Sequence, residues 1–422
     1  MAGPAPRPPG RGFTRYIWAA TAADVAARHA LSPAHVLRFD ANLPPFPARP
    51  RVSSDAALAE RGEYPEGTYA ELRAGAAAYA GASPDEVAID AGADGLIGLV
   101  ARTYLGPRRR AVVEEPTYPL YAIASRVEGA EVDTAPRDLD ALARTARRSH
   151  VVWLCNPGNP TGALWGAGDI RAVAEALPET LVCVDEAYYE YAGETVAPHA
   201  RELPNLVCIR TMSKAFGLAG LRVGYSIATK ETTFELSGRR LPGPVSNVAA
   251  MLAAASLRHP QVESEVSATV AERERLRTAF AAAGYETPAV HANFVVARRS
   301  DAPAVARALE RQGLVVRAYR DALRITVRTP ADDDLLLAAL GIDPPAAPLA
   351  SATIRSPGAR ASLVLAGSGR ARVATGDPAR DRRFTRIAED AELDLELVTD
   401  GRATDAAVGA AFGQALERAL AS

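Results

Sequence analysis

Short apolar runs alternate with helical stretches between residues 87 and 228, and this alternation constrains the possible folds more than any other feature of the chain. The runs are rich in Val and Ile, lack polar alternation, and span residues 87–90, 110–114, 151–155, 181–184, 206–209 and 223–228. Runs of this kind are typical of parallel strands that are buried on both faces. Their alternation with helices predicts an α/β fold in which helices cover both faces of a mostly parallel sheet.

The sequence before this region predicts an arm that is partly helical. Residues 1–12 are rich in Pro, Gly and Arg, and we expect them to be disordered. Residues 13–80 mix helix and loop signals and end in a helix predicted at 69–79, which Gly81 terminates. We expect this arm to supply part of a smaller domain, whereas residues 81–245 form a large domain around the sheet.

The sequence after the sheet region predicts two smaller units. The first, at 246–342, is an α+β domain with elements predicted at 249–283, 293–297, 302–313 and 323–327. A Pro-rich stretch at 343–350 is typical of a linker. Beyond it, residues 351–422 predict a small α+β module with strands at 361–365 and 393–398 and a helix at 406–421. Because this module is too small for a large core, we expect it to dock on the main body or on a second chain.

The composition excludes several classes of protein. Lys and Arg number 48 against 50 Asp and Glu, and the resulting net charge of −2 argues against a nucleic-acid-binding protein. No apolar run approaches the roughly 18 residues that a membrane helix needs, and residues 1–12 lack the apolar centre of a signal peptide. We therefore expect a cytoplasmic protein that binds neither nucleic acid nor a membrane.

The three cysteines, Cys155, Cys183 and Cys208, lie among apolar residues and form no Cys-x-x-Cys pair. This number and spacing predict neither a disulfide framework nor a structural zinc site, and they favour a reducing compartment. We expect the three to be buried as small apolar side chains, with no metal bound.

Lysine is scarce in this chain. Of the 48 Lys and Arg residues, only Lys214 and Lys230 are lysines. Lys214 follows a strand-like run and precedes a glycine-rich stretch, in the segment RTMSKAFGLAGLRVG at 210–224. A lysine that bonds covalently to a carbonyl group needs a desolvated pocket that lowers its pKa. The alternative is a solvated surface lysine with no chemical role.

The segment at 210–224 resembles the cofactor-lysine segment of the fold type I aminotransferases that use pyridoxal 5'-phosphate, and it is most similar to their histidinol-phosphate aminotransferase branch. The stretch NPGNPTG at 156–162 is similar to another motif of that family. The resemblance implies that Lys214 bonds to the cofactor and that Asn159 donates a hydrogen bond to its ring oxygen. A turn without a ligand is the alternative for 156–162.

Asp185 and Tyr188 lie in the stretch VDEAY, which ends an apolar run. Asp185 is therefore predicted at the carboxyl end of a strand, where open α/β sheets bind ligands. A carboxylate there can keep the nitrogen of a pyridine ring protonated, which makes the ring an electron sink. The resemblance implies this role for Asp185 and a contact of Tyr188 with the ring oxygen. The alternative is that Asp185 caps the following helix.

A phosphate site is predicted where GADG at 92–95 follows a strand and opens a helix, because the free amides of a helix N-terminus bind anions. By itself this glycine-rich turn is a weak signal, and the family usually has Glu at the position of Gly95. The resemblance implies that the cofactor phosphate contacts Gly92, Ala93, Asp94, Thr211, Ser213 and Arg222. It also implies that Tyr118, in PTYP at 116–119, stacks on the cofactor ring.

Further residues are implied by resemblance alone. Tyr64, in YPEGTY at 64–69, matches a tyrosine that reaches the cofactor phosphate of the other subunit, which implies a homodimer with shared sites; the alternative is an interface or core aromatic. Arg324, in LRITV, matches the arginine that binds the substrate anion, and Arg317 is a second candidate, since an Arg fork suits a carboxylate or phosphate. Asn42 matches a substrate-loop position, although the family's Asn-Glu-Asn-Pro reads Asn-Leu-Pro-Pro here.

The tail at 351–422 resembles half of an imidazoleglycerol-phosphate dehydratase. That enzyme binds metal through Asp-His and His-His-x-x-Glu motifs, whereas the corresponding positions here read DR at 381–382 and RATDA at 402–406. Since no histidine remains to bind manganese, we expect a degenerate module without catalysis.

The resemblance implies an aminotransferase that moves an amino group between an amino acid or an amino-alcohol phosphate, such as histidinol phosphate, and a 2-oxo acid. Family analogy makes 2-oxoglutarate the acceptor and histidine biosynthesis the setting, with Lys214 as general base and acid. A decarboxylase, oxidase or cyclase that acts on a polar amino acid would share the same motifs, because fold and cofactor do not determine the reaction. A non-catalytic binding or scaffold protein is a third alternative, against which the intact set of Lys214, Asp185, Asn159 and Tyr188 argues.

Overall fold

The computed structural model describes residues 8–45, 62–258 and 261–343, and beyond them the backbone of four strands between 348 and 399. The predicted helix at 406–421, the motif positions at 381–382 and 402–406, and most of the predicted disordered segment lie outside the described residues. The chain divides into two compact units. The first contains residues 1–21, 47–259 and 289–292, and the second contains residues 22–46, 260–288 and 293–422.

A seven-stranded sheet forms the centre of the first unit. Its strands, in chain order, are β2 (Val87–Asp90), β3 (Arg110–Glu115), β4 (Glu131–Pro136), β5 (Val151–Cys155), β6 (Leu181–Asp185), β7 (Leu206–Thr211) and β8 (Gly224–Ile227). In space they follow the order β2-β8-β7-β6-β5-β3-β4. All neighbours from β7 to β4 pair in parallel, so the sheet is mostly parallel as predicted.

Two strands of this sheet differ from the sequence-based expectation. The run at 223–228, predicted to be parallel, is antiparallel to both β7 and β2. The reason is that β7 leads to β8 through a loop with only a short 3-10 turn, and parallel neighbours usually need a helical crossover. Strand β4 was not predicted, because it is an edge strand with mostly part-exposed, polar residues rather than a buried apolar run.

Helices cover the sheet, and several have clear capping residues. They are α2 (Ala70–Ala80), α3 (Gly92–Tyr104), α4 (Leu120–Val127), α5 (Leu139–Ala146), α6 (Ala167–Ala176), α7 (Tyr189–Ala192), α8 (Ala197–Ala200), α9 (Lys230–Arg239) and α10 (Asn247–Leu257). The predicted helix at 69–79 is confirmed as α2, and it ends at Gly81, whose φ of 67° needs a residue without a Cβ. Leu96, Val100 and Trp153 belong to the core between the helices and the sheet.

Small sheets and four helices make up the part of the second unit that the structure describes. The helices are α1 (Ala22–His29), α11 (Gln261–Ala282), α12 (Ala302–Glu310) and α13 (Pro330–Ala339). Strands β9 (Phe294–Arg298), β12 (Ala322–Thr326) and β11 (Arg317–Ala318) form an antiparallel sheet, and β1 (Leu37–Arg38) pairs in parallel with β10 (Leu314–Val315). The predicted elements at 293–297, 302–313 and 323–327 are confirmed by β9, α12 and β12. The helical region predicted at 249–283 is confirmed and consists of two helices, α10 and α11.

The remaining strands are β13 (Pro348–Ser356), β14 (Ala359–Ala366), β15 (Arg372–Ala374) and β16 (Asp394–Thr399), which form a separate sheet in the order β13-β14-β16-β15. The strands predicted at 361–365 and 393–398 are confirmed by β14 and β16. The domain boundaries drawn from the sequence stay predictions. Within the described part of the chain, no helix has the length and apolar character needed to cross a membrane.

Candidate active site

Several of the sequence-predicted residues of the first unit lie at the carboxyl edge of the sheet. Asp185 is the last residue of β6 and is paired in register with Cys155, the last residue of β5. The loop with Lys214 follows β7, which pairs with β6 on its other side. Because neighbouring parallel strands end at the same edge, residues that are distant in sequence are brought together here.

Asp185 is buried, with 4% of its surface exposed. Its Oδ2 accepts a hydrogen bond from the Tyr121 hydroxyl at 2.8 Å, and its Oδ1 accepts one from the Ala187 amide at 3.0 Å. Burial raises the pKa of Asp185 from 3.8 to about 6, although the hydrogen bond from Tyr121 opposes this shift. The Ala187 contact is the local bond that a capping role would give, but α7 begins at Tyr189, and the residue directly before it is Tyr188 rather than Asp185.

The two lysines have opposite environments. Lys230 starts helix α9 on the surface, where it pairs with Asp85 at 3.0 Å with more than half of each side chain exposed. Lys214 is only part-exposed, and its Nζ lies 5.8 Å from the centre of the ring of Tyr188, which is itself buried. The charge of Lys214 also acts to lower the pKa of Asp185. The surface alternative therefore describes Lys230 rather than Lys214.

The start of helix α3 forms a cradle with Arg222. Gly92 has a φ of 74°, and a Cβ on it would lie 2.9 Å from Nη2 of Arg222. The same Nη2 donates to Asp94 at 2.9 Å, while Nη1 donates to the Ser213 hydroxyl at 3.4 Å. Glycine is thus needed at position 92 both for the backbone conformation and for the approach of the guanidinium.

The cradle fits a phosphate group by its donors. The Thr211 hydroxyl donates to the Ser213 hydroxyl at 2.9 Å, which places two hydroxyl groups beside the guanidinium of Arg222. Ala93 belongs to the first turn of α3, where backbone amides have no partner within the helix. Hydroxyls, a guanidinium and a helix N-terminus together match the chemistry of a phosphate ester.

Gly95 stands where the family usually has Glu. A Cβ at this position would lie 2.6 Å from Oδ1 of Asp90, so a larger residue would need the Asp90 side chain to move.

Tyr118 connects this cradle to Asp185. Its hydroxyl donates to Oδ1 of Asp94 at 3.2 Å, and its ring meets the ring of Tyr121 edge-on, with 5.7 Å between their centres. Tyr121 was not predicted as a site residue. The available signal was weak, namely a second tyrosine three residues after Tyr118, because an aromatic residue at that spacing is usually part of the core.

The turn that carries Asn159 is held by Asn156. Oδ1 of Asn156 accepts from the Trp165 amide at 2.7 Å, and its Nδ2 donates to the Trp165 carbonyl at 3.1 Å. The Asn156 amide also donates to the Asp185 carbonyl at 2.9 Å, which fixes the turn against β6. Asn159 is thereby placed at the same edge as Asp185.

The same turn ends at Gly162, which has a φ of 68°. A Cβ on this residue would lie 2.3 Å from Val290, so glycine is needed here.

A second buried group next to the site was also missed from the sequence. Glu186 accepts from Nε of Arg210 at 3.0 Å, from the Thr195 hydroxyl at 2.8 Å and from the Val196 amide at 2.6 Å. The guanidinium of Arg210 lies 3.7 Å from the centre of the Tyr189 ring. The only sequence signal is that Glu186 and Arg210 flank the motif residues Asp185 and Thr211.

The three predicted substrate residues lie in the second unit, close to one another. Arg317 and Arg324 are directly opposite in the β11–β12 ladder, Arg317 exposed and Arg324 buried. Nη2 of Arg324 donates to the Asp40 carbonyl at 2.7 Å. Asn42 is buried with a φ of 52°, and its Oδ1 accepts from the Thr326 hydroxyl at 3.0 Å, so its side chain holds strand β12.

Two further predictions concern exposure. Tyr64 in the first unit is 97% exposed, so its side chain is not part of the core of its own chain. The three cysteines are buried and free, as predicted. Among the described residues, no group of three or more His, Cys, Asp and Glu side chains could hold a metal ion.

Residues 34–340 match the family model described as aminotransferase class I and II, and the chain belongs to this family. An aromatic amino acid aminotransferase of Nocardia farcinica is 37% identical over 318 residues, which cover 71% of this chain and 88% of that protein. Histidinol-phosphate aminotransferase 2 of Caulobacter vibrioides is 37% identical over 349 residues, covering 78% and 91%. The solved histidinol-phosphate aminotransferase of Sinorhizobium meliloti, in complex with pyridoxal-5'-phosphate, has a TM-score of 0.71 at 27% identity and covers 78% of this chain and 97% of its own.

Family membership makes the chain a pyridoxal-phosphate-dependent aminotransferase with the α/β fold of type I. The resemblance stated from the motifs is therefore confirmed for the aminotransferase part. The tail beyond residue 340 lies outside the family match. The donors around Arg222, the buried carboxyl of Asp185 and the part-buried amine of Lys214 fit this cofactor.

Proposed function

We propose that the protein transfers an amino group from an amino acid or an amino-alcohol phosphate similar to histidinol phosphate to a 2-oxo acid, with 2-oxoglutarate as the acceptor. The observation that carries the proposal is the meeting of Lys214, Asp185 and the Arg222 cradle at one edge of the sheet. Two relatives, an aromatic amino acid aminotransferase and a histidinol-phosphate aminotransferase, are named after amino donors that contain a planar ring, which supports such a donor here. The reaction would serve amino-acid biosynthesis, in particular that of histidine, in the cytoplasm.

Each site residue has a proposed part in holding the cofactor. The phosphate is held by Thr211, Ser213, Arg222 and the amides of Gly92, Ala93 and Asp94, and the ring by Tyr118, Asn159 and Tyr188. Bound there, pyridoxal phosphate supplies an electron sink for the charge that develops when the substrate loses its α-proton. Asp185 accepts the hydrogen bond of the protonated ring nitrogen and keeps that proton in place.

Lys214 is the proposed acid and base of the reaction. With pyridoxal phosphate bound, Nζ of Lys214 would be the group that holds it, and the amine would be free while the substrate occupies the site. The freed amine then removes the proton from the substrate Cα and later returns a proton, as a general base and a general acid in turn. The ring of Tyr188 lies beside this amine, with 5.8 Å between Nζ and the ring centre.

The substrate anion is assigned to the second unit. Like charges that are directly opposite in a ladder destabilise a sheet, so the pairing of Arg317 with Arg324 favours an anion between or beside them. A phosphate or carboxylate on the amino donor would supply this charge. Asn42 stays a substrate-loop candidate, with its side chain engaged by Thr326.

A homodimer is part of the proposal. Tyr64 is 97% exposed, which suits a tyrosine that contacts the partner's cofactor phosphate rather than its own core. Tyr64 of the partner subunit would then complete each site.

The test compares the two lysine variants. We expect Lys214→Ala to abolish transamination and the visible absorbance of the bound cofactor, while Lys230→Ala leaves both unchanged. Borohydride reduction of the loaded wild-type protein should place the cofactor label on Lys214. Label on Lys230 would contradict the assignment. The amino donor is tested with a panel of histidinol phosphate, aromatic amino acids and aliphatic amino acids. Release of carbon dioxide in place of a keto product would indicate a decarboxylase.

For the tail we propose a stabilising and non-catalytic role for residues 351–422. Truncation after Leu349 should leave cofactor binding intact and lower the melting temperature or weaken the dimer. Equal melting temperature and equal mass by light scattering in the truncated protein would contradict docking. Dehydration of imidazoleglycerol phosphate by the full chain with manganese would contradict the lack of catalysis.

A further inference from the structure

The hydroxyl of Tyr121 occupies one oxygen of the Asp185 carboxyl. It donates to Oδ2 at 2.8 Å, while the Ala187 amide donates to Oδ1 at 3.0 Å. Each oxygen is therefore held by one neutral donor from a different element, Tyr121 from α4 and Ala187 from the loop after β6. Two such bonds determine the plane of the carboxyl group, which a single bond would leave free to rotate.

The Tyr121 ring is itself held rigidly. It is fully buried and stacks on Trp153 of strand β5, with 5.6 Å between ring centres and an angle of 10°. Nε1 of Trp153 donates to the Ser125 hydroxyl at 3.1 Å, and that hydroxyl donates to the Tyr121 carbonyl at 2.7 Å. The position of the Tyr121 hydroxyl is thus determined by packing rather than by its bond to Asp185.

Several charged or titratable groups face Asp185 from the surrounding elements. They are Asp94 on α3, Lys214 after β7, Cys155 on β5, Cys183 on β6, and Tyr118 and Tyr121. Asp94 raises the pKa of Asp185, whereas Tyr121 and Lys214 lower it. Burial raises the pKa of the Cys155 thiol to about 12 and also raises that of Tyr121, so both stay neutral near pH 7. Tyr121 is thereby a permanent donor, and its hydrogen bond favours the ionised form of Asp185.

We propose that Tyr121 is a positioning residue that orients Asp185 and keeps it ionised for the ring nitrogen of the cofactor. The proposal rests on the function proposed for Asp185 above. It adds a residue from helix α4 to the reaction without a contact between that residue and the substrate. Tyr121 also contacts Tyr118 edge-on, so the segment at the start of α4 contributes both a residue beside Asp185 and the tyrosine proposed to stack on the cofactor ring.

The test is Tyr121→Phe, which removes the hydroxyl and keeps the ring that stacks on Trp153. In the cofactor-free protein, labelled with ¹³C at aspartate carboxyls, we expect the titration of Asp185 to move upward by about one to two pH units. The Asp185 signal is assigned by its loss in Asp185→Asn. In the loaded enzyme we expect kcat to fall about tenfold, with the acid limb of its pH profile moved upward by a similar amount.

The matched control is Tyr225→Phe, a buried tyrosine on β8 that is not a hydrogen-bond partner of Asp185. It should leave the Asp185 titration and the pH profile unchanged. Tyr121→Phe should have little further effect when added to Asp185→Asn, because the hydroxyl acts through that carboxyl. If Tyr121→Phe does not fold, Ser125→Ala loosens the same ring and should move the titration in the same direction by a smaller amount.

The outcomes separate the two proposals. A wild-type titration and pH profile in Tyr121→Phe would overturn the positioning role, as would an equal loss of kcat in the presence and absence of Asp185→Asn. Near-normal turnover in Asp185→Asn itself would instead overturn the function proposed for that carboxylate.

Discussion

Asp185 and Glu186 are neighbours in sequence and both are buried, yet their surroundings are opposite. Consecutive residues of an extended chain point to opposite sides, so the two carboxyl groups enter different regions. Glu186 meets the guanidinium of Arg210 at 3.0 Å, together with a hydroxyl and an amide. The hydrogen-bond donors to Asp185 are a neutral hydroxyl and a neutral amide. One side of the strand end thus contains a compensated ion pair, and the other contains a carboxyl whose pKa burial raises to about 6.

The region around Glu186 therefore stabilises the fold, whereas the ionised carboxylate of Asp185 destabilises it. A buried carboxylate with a full set of partners supports the native structure, whereas one without a cation bonded to it costs stability in its ionised form. The proposed function gives a reason for that cost, because a cofactor with a protonated ring nitrogen would supply the missing charge. Three measurements test the contrast, in order of decreasing effect.

The largest effect is expected for the Glu186 region. Arg210→Met would leave Glu186 buried without its cation and should lower the free energy of unfolding by about 3–5 kcal/mol, measured in urea. The exposed pair of Arg239 with Glu235 provides the control, and Arg239→Met should cost less than about 1 kcal/mol. Glu186→Gln combined with Arg210→Met should cost less than Arg210→Met alone. A loss no greater than that of the control would mean that the pair is not structurally important.

The next effect concerns catalysis at Asp185. Asp185→Asn keeps the shape of the side chain and removes its charge, so kcat for amino transfer should fall by about 10²–10³-fold. Cofactor affinity, measured by equilibrium dialysis, should change less, since the phosphate cradle is intact. A variant with nearly unchanged kcat would show that a different group holds the ring proton.

The smallest effect is a gain of stability by the same variant without cofactor. The folded-state pKa of Asp185, about 6, is above its ordinary value of 3.8, so the folded chain binds this proton more tightly than the unfolded chain. The stability from that proton is present below about pH 4 and is lost as the pH rises to about 6. Above that pH, cofactor-free Asp185→Asn should therefore be more stable than wild type by up to about 3 kcal/mol.

The measurement is the free energy of unfolding of both proteins across pH 4–8. The two curves should meet at the acidic end and separate as the pH rises. Parallel curves would mean that the pKa of Asp185 is not raised in the folded protein.

Motifs in the sequence predicted many residues of the candidate site, but only those that can be identified from the residues next to them. Lys214 lies in a family-like segment of a chain with only two lysines, and Asp185 ends an apolar run. Tyr121 lies 64 positions from Asp185, and its hydroxyl has meaning only beside that carboxyl. The antiparallel direction of β8 was missed because an unbroken apolar run indicates burial on both faces, and a buried antiparallel strand shows the same pattern as a parallel one.

The sequence alone determined the alternation of strands and helices, the family motifs and the identity of the reactive lysine candidate, because each depends on residues that are close in the chain. The tertiary structure decided which charges are compensated. Glu186 and Arg210 are 24 residues apart, and Arg317 and Arg324 face each other only because β11 and β12 pair in one register. The physical reason is that the energy of a buried charge depends on the atoms around it in space, and strand order and register determine those atoms.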